Sequence, residues 1–582
     1  MNQNPFNHSH FIGYINQVSS QFVKIHFPSS VLMKSFSFYG EELKGGLVGS
    51  YVVIEGEKYG FLGKILELSL PEKERLELSE KSFNTKDFHP TGKIEILISF
   101  DLFNPNEIDK GLNSLPLIGS KVFICSSEFI KSYFKGFGVK AEHKEIAPII
   151  KLGKLTYDKT TEIELSQQAL FSRHCAIVGT TGGGKSYTVS KLIEGIIENN
   201  SKAIIIDPTG EYSTYDDHPK VGKTVLITDS FFSYKNLTIS DLFVLFKPGG
   251  QVQQPILLEA IKSLKILDIL EKSKNDEIIT KNNSGYVVKI KSKPFNIIVD
   301  GDSIKKVGNE KKPFNHIYVE YQNKIDSFEA EFNISHLSNQ IINECVWDTD
   351  RNDIMKWGLR NDNHLNNCVS LILRINNILQ NEDYKKMFGF EKSDNADLIS
   401  VIENFLKSDK NVLRIGFENV PYNFQVREIL ANAIGKYLLN LSRKDEFKKK
   451  PLILFVDEAH QFLNKKVKDE YFESTELSAF DTIAKESRKY GLFLCIATQM
   501  PRDIPIGTLS QIGTFISHRL INHQDKEAIA NACSSANRDT LAFLPILGSG
   551  EAILMGVDFP MPVMLKVDMP KIEPNSSTPL FS

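Results

Sequence analysis

The chain has 582 residues, 41% of them hydrophobic and 24% charged, with a formal net charge of −3. That length is too great for one compact core and predicts about three domains. The charge excludes a protein that coats DNA through a strongly basic surface, so any nucleic-acid contact must come from a local basic strip or a pore.

Residues 1–145 read as strands and glycine turns with little helix. Phe11 to Ile15, Phe22 to Phe27, Val48 to Ile54, Gly60 to Leu66, Ile94 to Phe100 and Val122 to Cys125 are short β-type segments. This spacing predicts a small N-terminal β-barrel. The opening stretch Met1 to Phe11 lacks the basic, apolar and cleavable organisation of a signal peptide. No apolar run approaches the roughly 18 residues needed to cross a membrane. The six cysteines form no CxxC pair and no zinc spacing, and Cys175 and Cys495 sit in apolar strands. These features predict a cytoplasmic protein with no membrane partner.

From 146 to 228 the pattern becomes α/β. Cys175 to Val178 is a short apolar run suited to a buried parallel strand. It leads into Gly179-Thr180-Thr181-Gly182-Gly183-Gly184-Lys185-Ser186, the pattern G-x-x-x-x-G-K-[ST], followed by Tyr187. Glycines let the backbone approach a phosphate, and successive N–H groups point at it as a nest. Lys185 is placed to reach the β- and γ-phosphates of ATP, and the Ser186 hydroxyl to bind Mg²⁺. Val189, Leu192, Ile193, Ile196 and Ile197 recur at helical spacing, so a helix N-terminus adds its dipole to the phosphate site. Ala203 to Asp207 is a second buried strand ending in an acid, and Thr224 to Thr228 a third candidate.

Residues 229–410 do not alternate strand and helix. Leu257 to Leu267 and Leu371 to Leu379 suggest helices, so the stretch reads as a mostly helical insertion. Its Lys-, Asn- and Asp-rich part at 272–325 carries possible strands, Tyr286 to Ile290 and Phe295 to Val299, but no clear core, and is expected to be a solvated excursion. Alternation returns from 411 to 569. Val412 to Phe417, Leu452 to Val456 and Leu492 to Ala497 are strands, and the segments from Val426 to Leu438 and from Leu477 to Lys489 are helices. Residues 570–582 form a Pro- and Ser-rich tail expected to be extended.

Two further segments carry chemistry. Leu452 to Val456 delivers Asp457 to a Mg²⁺ shell and Glu458 to a water facing the γ-phosphate, as general base or water orienter. Leu494 to Ala497 ends in Thr498 and Gln499, where a polar residue can sense the γ-phosphate. Arg173, Lys465 and Arg488 are candidates to stabilise transition-state charge, with Arg519 a further one, although a surface arginine reads the same way in sequence. His460 reads as a structural hydrogen-bonding group. Lys465, Lys466 and Lys468 form a basic cluster that, facing a ring's pore, would track phosphates without reading bases.

Together these residues resemble the HerA family of hexameric DNA translocases, relatives of FtsK and the conjugation ATPases. The likeness is carried by Arg173 to Gly179, by Asp207-Pro208-Thr209-Gly210-Glu211-Tyr212, by Asp457-Glu458-Ala459-His460, by Glu486 to Gly491, by Thr498-Gln499 and by Gly550 to Ile553. It spans residues 1–570 and implies a RecA-like P-loop ATPase core with a helical insertion behind a small barrel. It implies a homohexameric ring, with ATP at subunit interfaces and duplex DNA in a central channel. Lys185, Ser186, Asp457, Glu458 and Gln499 would serve the bound nucleotide. Arg173, Lys465 and Arg488 sit where the family places its basic catalytic residues, some reaching in from a neighbouring subunit. Ser487, where the family often has glycine, is a departure, and the stretch 272–325 has no family counterpart. Motors of this kind work with a companion, a nuclease or, in anti-phage defence, a sirtuin-like NAD-hydrolysing protein, docked on the barrel. Three functions stay open: an ATP-driven DNA translocase or helicase, an ATPase scaffold that activates a partner defence enzyme, and a protein-translocating ATPase of the conjugation type.

Overall fold

The barrel strands form because their apolar residues alternate between two cores. Phe11–Val18, Lys121–Ile124, Tyr51–Ile54, Tyr59–Ser69, Thr91–Asp101 and Val23–His26 pair in that order, and the last pairs back to the first, closing the sheet. Closure leaves no exposed edge among these six strands. Ile12, Ile25, Val52, Phe61, Ile94 and Val122 fill the barrel. Their neighbours Tyr51, Val53, Leu62, Ile98 and Phe123 instead join the core beneath the large sheet. Period-two alternation therefore both fills the barrel and seats it on the rest of the chain. Tyr51 adds a hydrogen bond to the Pro562 carbonyl at 3.3 Å.

In this computed structural model the described residues are 5–20, 22–33, 35–38, 41–44, 48–76, 79, 87–102, 108–109, 114–135, 147–156, 161–273, 278–327, 329–391, 393–422, 425–463, 466–469, 472–533, 538–557, 559 and 562–576; for 35–38, 41–44, 76, 108–109, 132–135, 466–469, 472–476 and 538–539 only the backbone is described. Lys465, the side chains of Lys466 and Lys468, and the end of the tail at 577–582 lie outside them.

An 11-stranded sheet organises the remainder. Val221–Val225, Val412–Gly416, Lys202–Asp207, Leu452–Val456, Leu492–Thr498, Cys175–Val178 and Thr514–Ser517 run parallel in that order. Glu551–Gly556, Val563–Val567, Ile149–Leu155 and Glu162–Ser166 continue it antiparallel. The parallel strands are almost wholly buried, as sheets covered on both faces require. Helices Lys185–Glu198 and Val426–Arg443 lie on this sheet, and the chain ends of its parallel strands gather on one edge. That edge is where open α/β sheets bind ligands.

Between Val221–Val225 and Val412–Gly416 come the helices Ile239–Phe246, Gly250–Lys272, Lys311–Glu320, Leu337–Glu344, Asp362–Gln380 and Leu398–Lys407. The two strands expected in the lysine-rich stretch are present as Gly285–Ile290 and Lys293–Asp300, within a four-stranded sheet. The expectation of a coreless excursion is corrected. Ile279, Tyr286, Val288, Ile297 and Ile304 are buried with Phe314 and Ile317 in the core on the other face of the large sheet, away from the barrel. Lys281, Lys289 and Lys293 on these strands are exposed, which made the segment look solvated in composition alone. No helix among the described residues is long and apolar enough to cross a membrane.

Candidate active site

The phosphate loop is built where three strands end together. Val178 lies in register with Thr498 on one side and Ser517 on the other, so Gln499 and His518 flank the loop that follows. Gly179 N donates to Thr498 O at 3.3 Å, and Thr180 N to Arg519 O at 2.9 Å. Helix Lys185–Glu198 starts from Gly184, which has φ 113° and offers no side-chain cap. Its first-turn N–H groups are thereby left to an anion. A Cβ at Gly184 would stand 3.1 Å from Gly550 Cα, and one at Gly179 would stand 2.6 Å from His518 Cβ. Glycine is required there by the floor beneath the loop as well as by the ligand above it.

Lys185 is buried, and burial lowers its pKa while Glu458, Asp457 and Glu211 oppose the shift. Those acids face its ammonium group. Asp457 follows strand Leu452–Val456, and burial pushes its carboxyl well above the usual range, with Glu211, Glu458 and Asp207 acting in the same direction. Its Oδ2 is buried without a hydrogen-bond partner. An orphaned carboxyl oxygen among other acids is costly unless a cation joins it, so Asp457 fits a site that could hold a divalent metal. Among the described residues no group of three or more His, Cys, Asp and Glu forms a metal cage. Mg²⁺ suits such a site because it keeps water and phosphate oxygens in its own shell.

Glu458 takes a left-handed backbone, φ 44°, at the turn out of the strand. Gln499 Nε2 donates to its Oε1 at 2.5 Å, and Gln499 Oε1 accepts from the Thr181 hydroxyl at 2.5 Å. Gln499 thus links the phosphate loop to the acid. His460 Nδ1 is 3.2 Å from Glu458 Oε2 and 3.2 Å from Thr498 Oγ1, which agrees with a structural hydrogen-bonding role for the histidine.

A second layer fixes these acids. Asp207 accepts hydrogen bonds from the N–H groups of Gly210 at 2.8 Å, Glu211 at 3.2 Å and Tyr212 at 3.1 Å, folding the turn that carries Glu211. Arg414, itself 2% exposed, binds Asp207 at 3.2 Å, Glu418 at 3.2 Å and Asp216 through two bonds of 2.7 and 2.8 Å. The tail crosses the same helix. Lys571 N and Ile572 N donate to Glu194 Oε1, Tyr187 OH donates to Glu573 at 3.0 Å, and Asn575 N donates to Glu211 O at 2.7 Å. Tyr187, expected at the nucleotide, is therefore held to the tail.

The candidate residues separate into two groups. Lys185, Ser186, Asp457, Glu458, Gln499 and the run Gly179 to Gly184 gather at the C-terminal edge of the parallel strands. Arg173 and Arg488 do not join them. Each precedes its strand, Cys175–Val178 or Leu492–Thr498, and so lies at the opposite edge. Roughly 15 Å of strand separates Arg173 from its own phosphate loop. Arg488 is near His174, whose pKa burial lowers to about 4 and which also feels that guanidinium. Ser487 Oγ lies 2.8 Å from Ile483 O and 2.6 Å from Leu492 O, so its one proton has a carbonyl acceptor within the turn. Arg519 accepts from the Thr180 hydroxyl through its carbonyl, and its Nε donates to Pro545 O at 3.2 Å.

Arg414 and His518 were not singled out by sequence reasoning. Arg414 left one signal, a charged residue inside the apolar run Val412-Leu413-Arg414-Ile415, which burial obliges to pair. His518 left none, because its neighbours come from distant segments.

Comparison with known proteins gives a consistent picture. Residues 150–376 match the family model of the helicase HerA central domain, and residues 369–577 that of the helicase HerA-like C-terminal domain. The chain is similar to the probable DNA double-strand break repair helicase HerA of Methanocaldococcus jannaschii, with 25% identity over 78% of this chain and 82% of that protein. It is also similar to the DNA double-strand break repair helicase HerA of Pyrococcus furiosus, with 23% identity over 72% of this chain and 69% of that one. Among solved structures, VirB4 of Thermoanaerobacter pseudethanolicus is 13% identical over 72% of this chain and 96% of its own, at a TM-score of 0.42.

Proposed function

Because the chain belongs to the HerA family of helicases, we propose that it is an ATP-hydrolysing motor that moves on duplex DNA as a homohexameric ring. The meeting of Lys185, Asp457, Glu458 and Gln499 at the ends of neighbouring parallel strands carries this reading. In it, the N–H groups from Gly179 to Ser186 and the Lys185 ammonium bind the phosphates of ATP. Ser186 and Asp457 hold Mg²⁺, which neutralises phosphate charge when bound. Glu458 orients a water and takes its proton, and Gln499 reports phosphate occupancy by exchanging its bonds to Thr181 and Glu458. Arg173 and Arg488 act on the site of the adjacent subunit, because the sheet holds them away from their own. Lys465, Lys466 and Lys468 track DNA phosphates in the channel. The closed barrel offers a docking surface for a companion, a nuclease or a sirtuin-like NAD-hydrolysing effector.

Steady-state ATP hydrolysis with and without linear duplex DNA tests the reading. DNA should raise turnover, and Lys185→Ala should abolish it. Glu458→Gln should cut turnover about 10²- to 10⁴-fold while ATP still binds. Hydrolysis that ignores DNA would instead favour a scaffold whose ATPase switches a partner on, and hydrolysis that survives Lys185→Ala would remove the phosphate-loop assignment.

A further inference from the structure

Beneath the phosphate loop lies a histidine with no part in the chemistry above. His518 follows strand Thr514–Ser517 and is fully buried. Its Nδ1 is 2.9 Å from the Glu551 carbonyl, so that nitrogen carries the proton. Its Nε2 is 2.8 Å from Thr188 Oγ1 and accepts the hydroxyl proton. Thr188 is on the first turn of the helix that begins at Lys185. The ring thus ties that turn to the strand Glu551–Gly556. Burial, with Lys185 nearby, holds its pKa down to about 4, so both roles persist at neutral pH.

The same side chain also sets the shape of the loop. His518 Cβ stands 2.6 Å from where a Cβ on Gly179 would be, and its Cε1 3.2 Å from one on Gly184. The backbone around it makes two further bonds to the loop and one to the strand end that leads into it. His518 N donates to Val178 O at 2.7 Å, Arg519 O accepts from Thr180 N at 2.9 Å, and Gly550 N donates to Gly183 O at 3.2 Å. The loop is therefore shaped from one side by a packed protein wall. N–H groups bind phosphate well only when they are already aimed at it, and a rigid floor supplies that aim before the ligand arrives.

We propose that His518 is a positioning residue of the nucleotide site, whose imidazole bridges Thr188 to the Glu551 carbonyl and holds the phosphate loop in its binding shape. The inference rests on Gly179 to Ser186 being that site. Its action is on affinity: loss of the bridge lets the loop and the start of the helix relax, while Asp457 and Glu458, which follow a different strand, remain in place for the chemical step.

The test compares His518→Ala, His518→Gln and Thr188→Val in the full-length protein. Binding of a non-hydrolysable fluorescent ATP analogue, KM and kcat for ATP, and thermal stability are measured on each, with Lys185→Ala alongside. His518→Ala should weaken analogue binding and raise KM about tenfold, the scale of one buried hydrogen bond, with kcat changed less than about threefold. His518→Gln, whose amide oxygen can still accept from Thr188, should recover much of the affinity. Thr188→Val keeps the volume and removes only the hydroxyl, so it should repeat the affinity loss even where His518→Ala folds poorly. Lower thermal stability with unchanged analogue binding and KM in Thr188→Val and His518→Ala would overturn the proposal and leave His518 a core residue. Failure of the wild-type protein to bind the analogue at all would instead overturn the assignment of the site.

Discussion

The two edges of the parallel sheet differ in what they carry. At the C-terminal edge, a lysine, a cluster of acids and a glutamine converge, and Asp457 is left with an unsatisfied buried oxygen. At the N-terminal edge sit Arg173, Arg488 and the buried His174, whose imidazole receives the Leu494 N–H at 2.9 Å and is 3.1 Å from the Ala484 carbonyl. The first edge has the acids and the lysine of a phosphate-transfer site but takes no arginine from that group; the second has arginines and no phosphate loop. A single chain cannot bring them together, because strands of fixed length separate them. The contrast teaches that these arginines, if they serve a phosphate site, must serve that of another subunit, which gives the proposed ring a chemical reason.

The largest effect that can break this comparison comes from the arginines. Arg488→Ala should lower the turnover of ATP about 10³-fold or more if its guanidinium serves a neighbouring site. Mixing Arg488→Ala subunits with Lys185→Ala subunits should then restore part of the turnover, since mixed interfaces pair an intact loop with an intact arginine. Loss without restoration would place Arg488 in service of its own subunit and contradict the geometry. On the opposite edge, Arg414→Leu should destabilise the fold by about 3–5 kcal/mol, because Asp207 and Asp216 would keep their charge without its partner. Chemical denaturation reads this directly, and a change below about 1 kcal/mol would mean that solvent already screens the network.

A smaller effect depends on pH. His174 and His518, one at each edge, have pKa values held down to about 4 by burial. The unfolded chain protonates histidine near pH 6.5, so it binds more protons than the native state between those values. Stability is therefore full above about pH 6.5, falls as the pH drops towards 4, and levels off below, at roughly 3 kcal/mol for each histidine. Denaturation midpoints from pH 7.5 to 4.5 should show that slope, and replacing His174 with Gln should reduce it.

Much of this arrangement was legible in sequence, for a definite reason. The phosphate loop, the acid pair and the Thr498-Gln499 end are contiguous strings whose chemistry depends on local spacing, and each follows an apolar strand. The barrel strands were likewise visible through alternation. The lysine-rich stretch was misread because outward-facing lysines dominate its composition, while Tyr286, Val288 and Ile297 bury themselves against helices far along the chain. Sequence also offered Arg173 and Arg488 as candidates, with Arg519 as a weaker one of the same kind. Strand direction separates them, sending the first two to the far edge and the Arg519 side chain to Pro545.

What the sequence by itself made legible was the set of strings proposed for the site: the glycine loop with Lys185 and Ser186, the acid pair Asp457-Glu458 and the Thr498-Gln499 end, each encoded within a few consecutive residues. The tertiary structure decided how those pieces are held. Asp207, Asp216 and Arg414 meet across as many as 207 residues of chain, and Thr188 and His518 across 330. No local pattern records such pairs, because burial imposes the need for a partner and only packing supplies it.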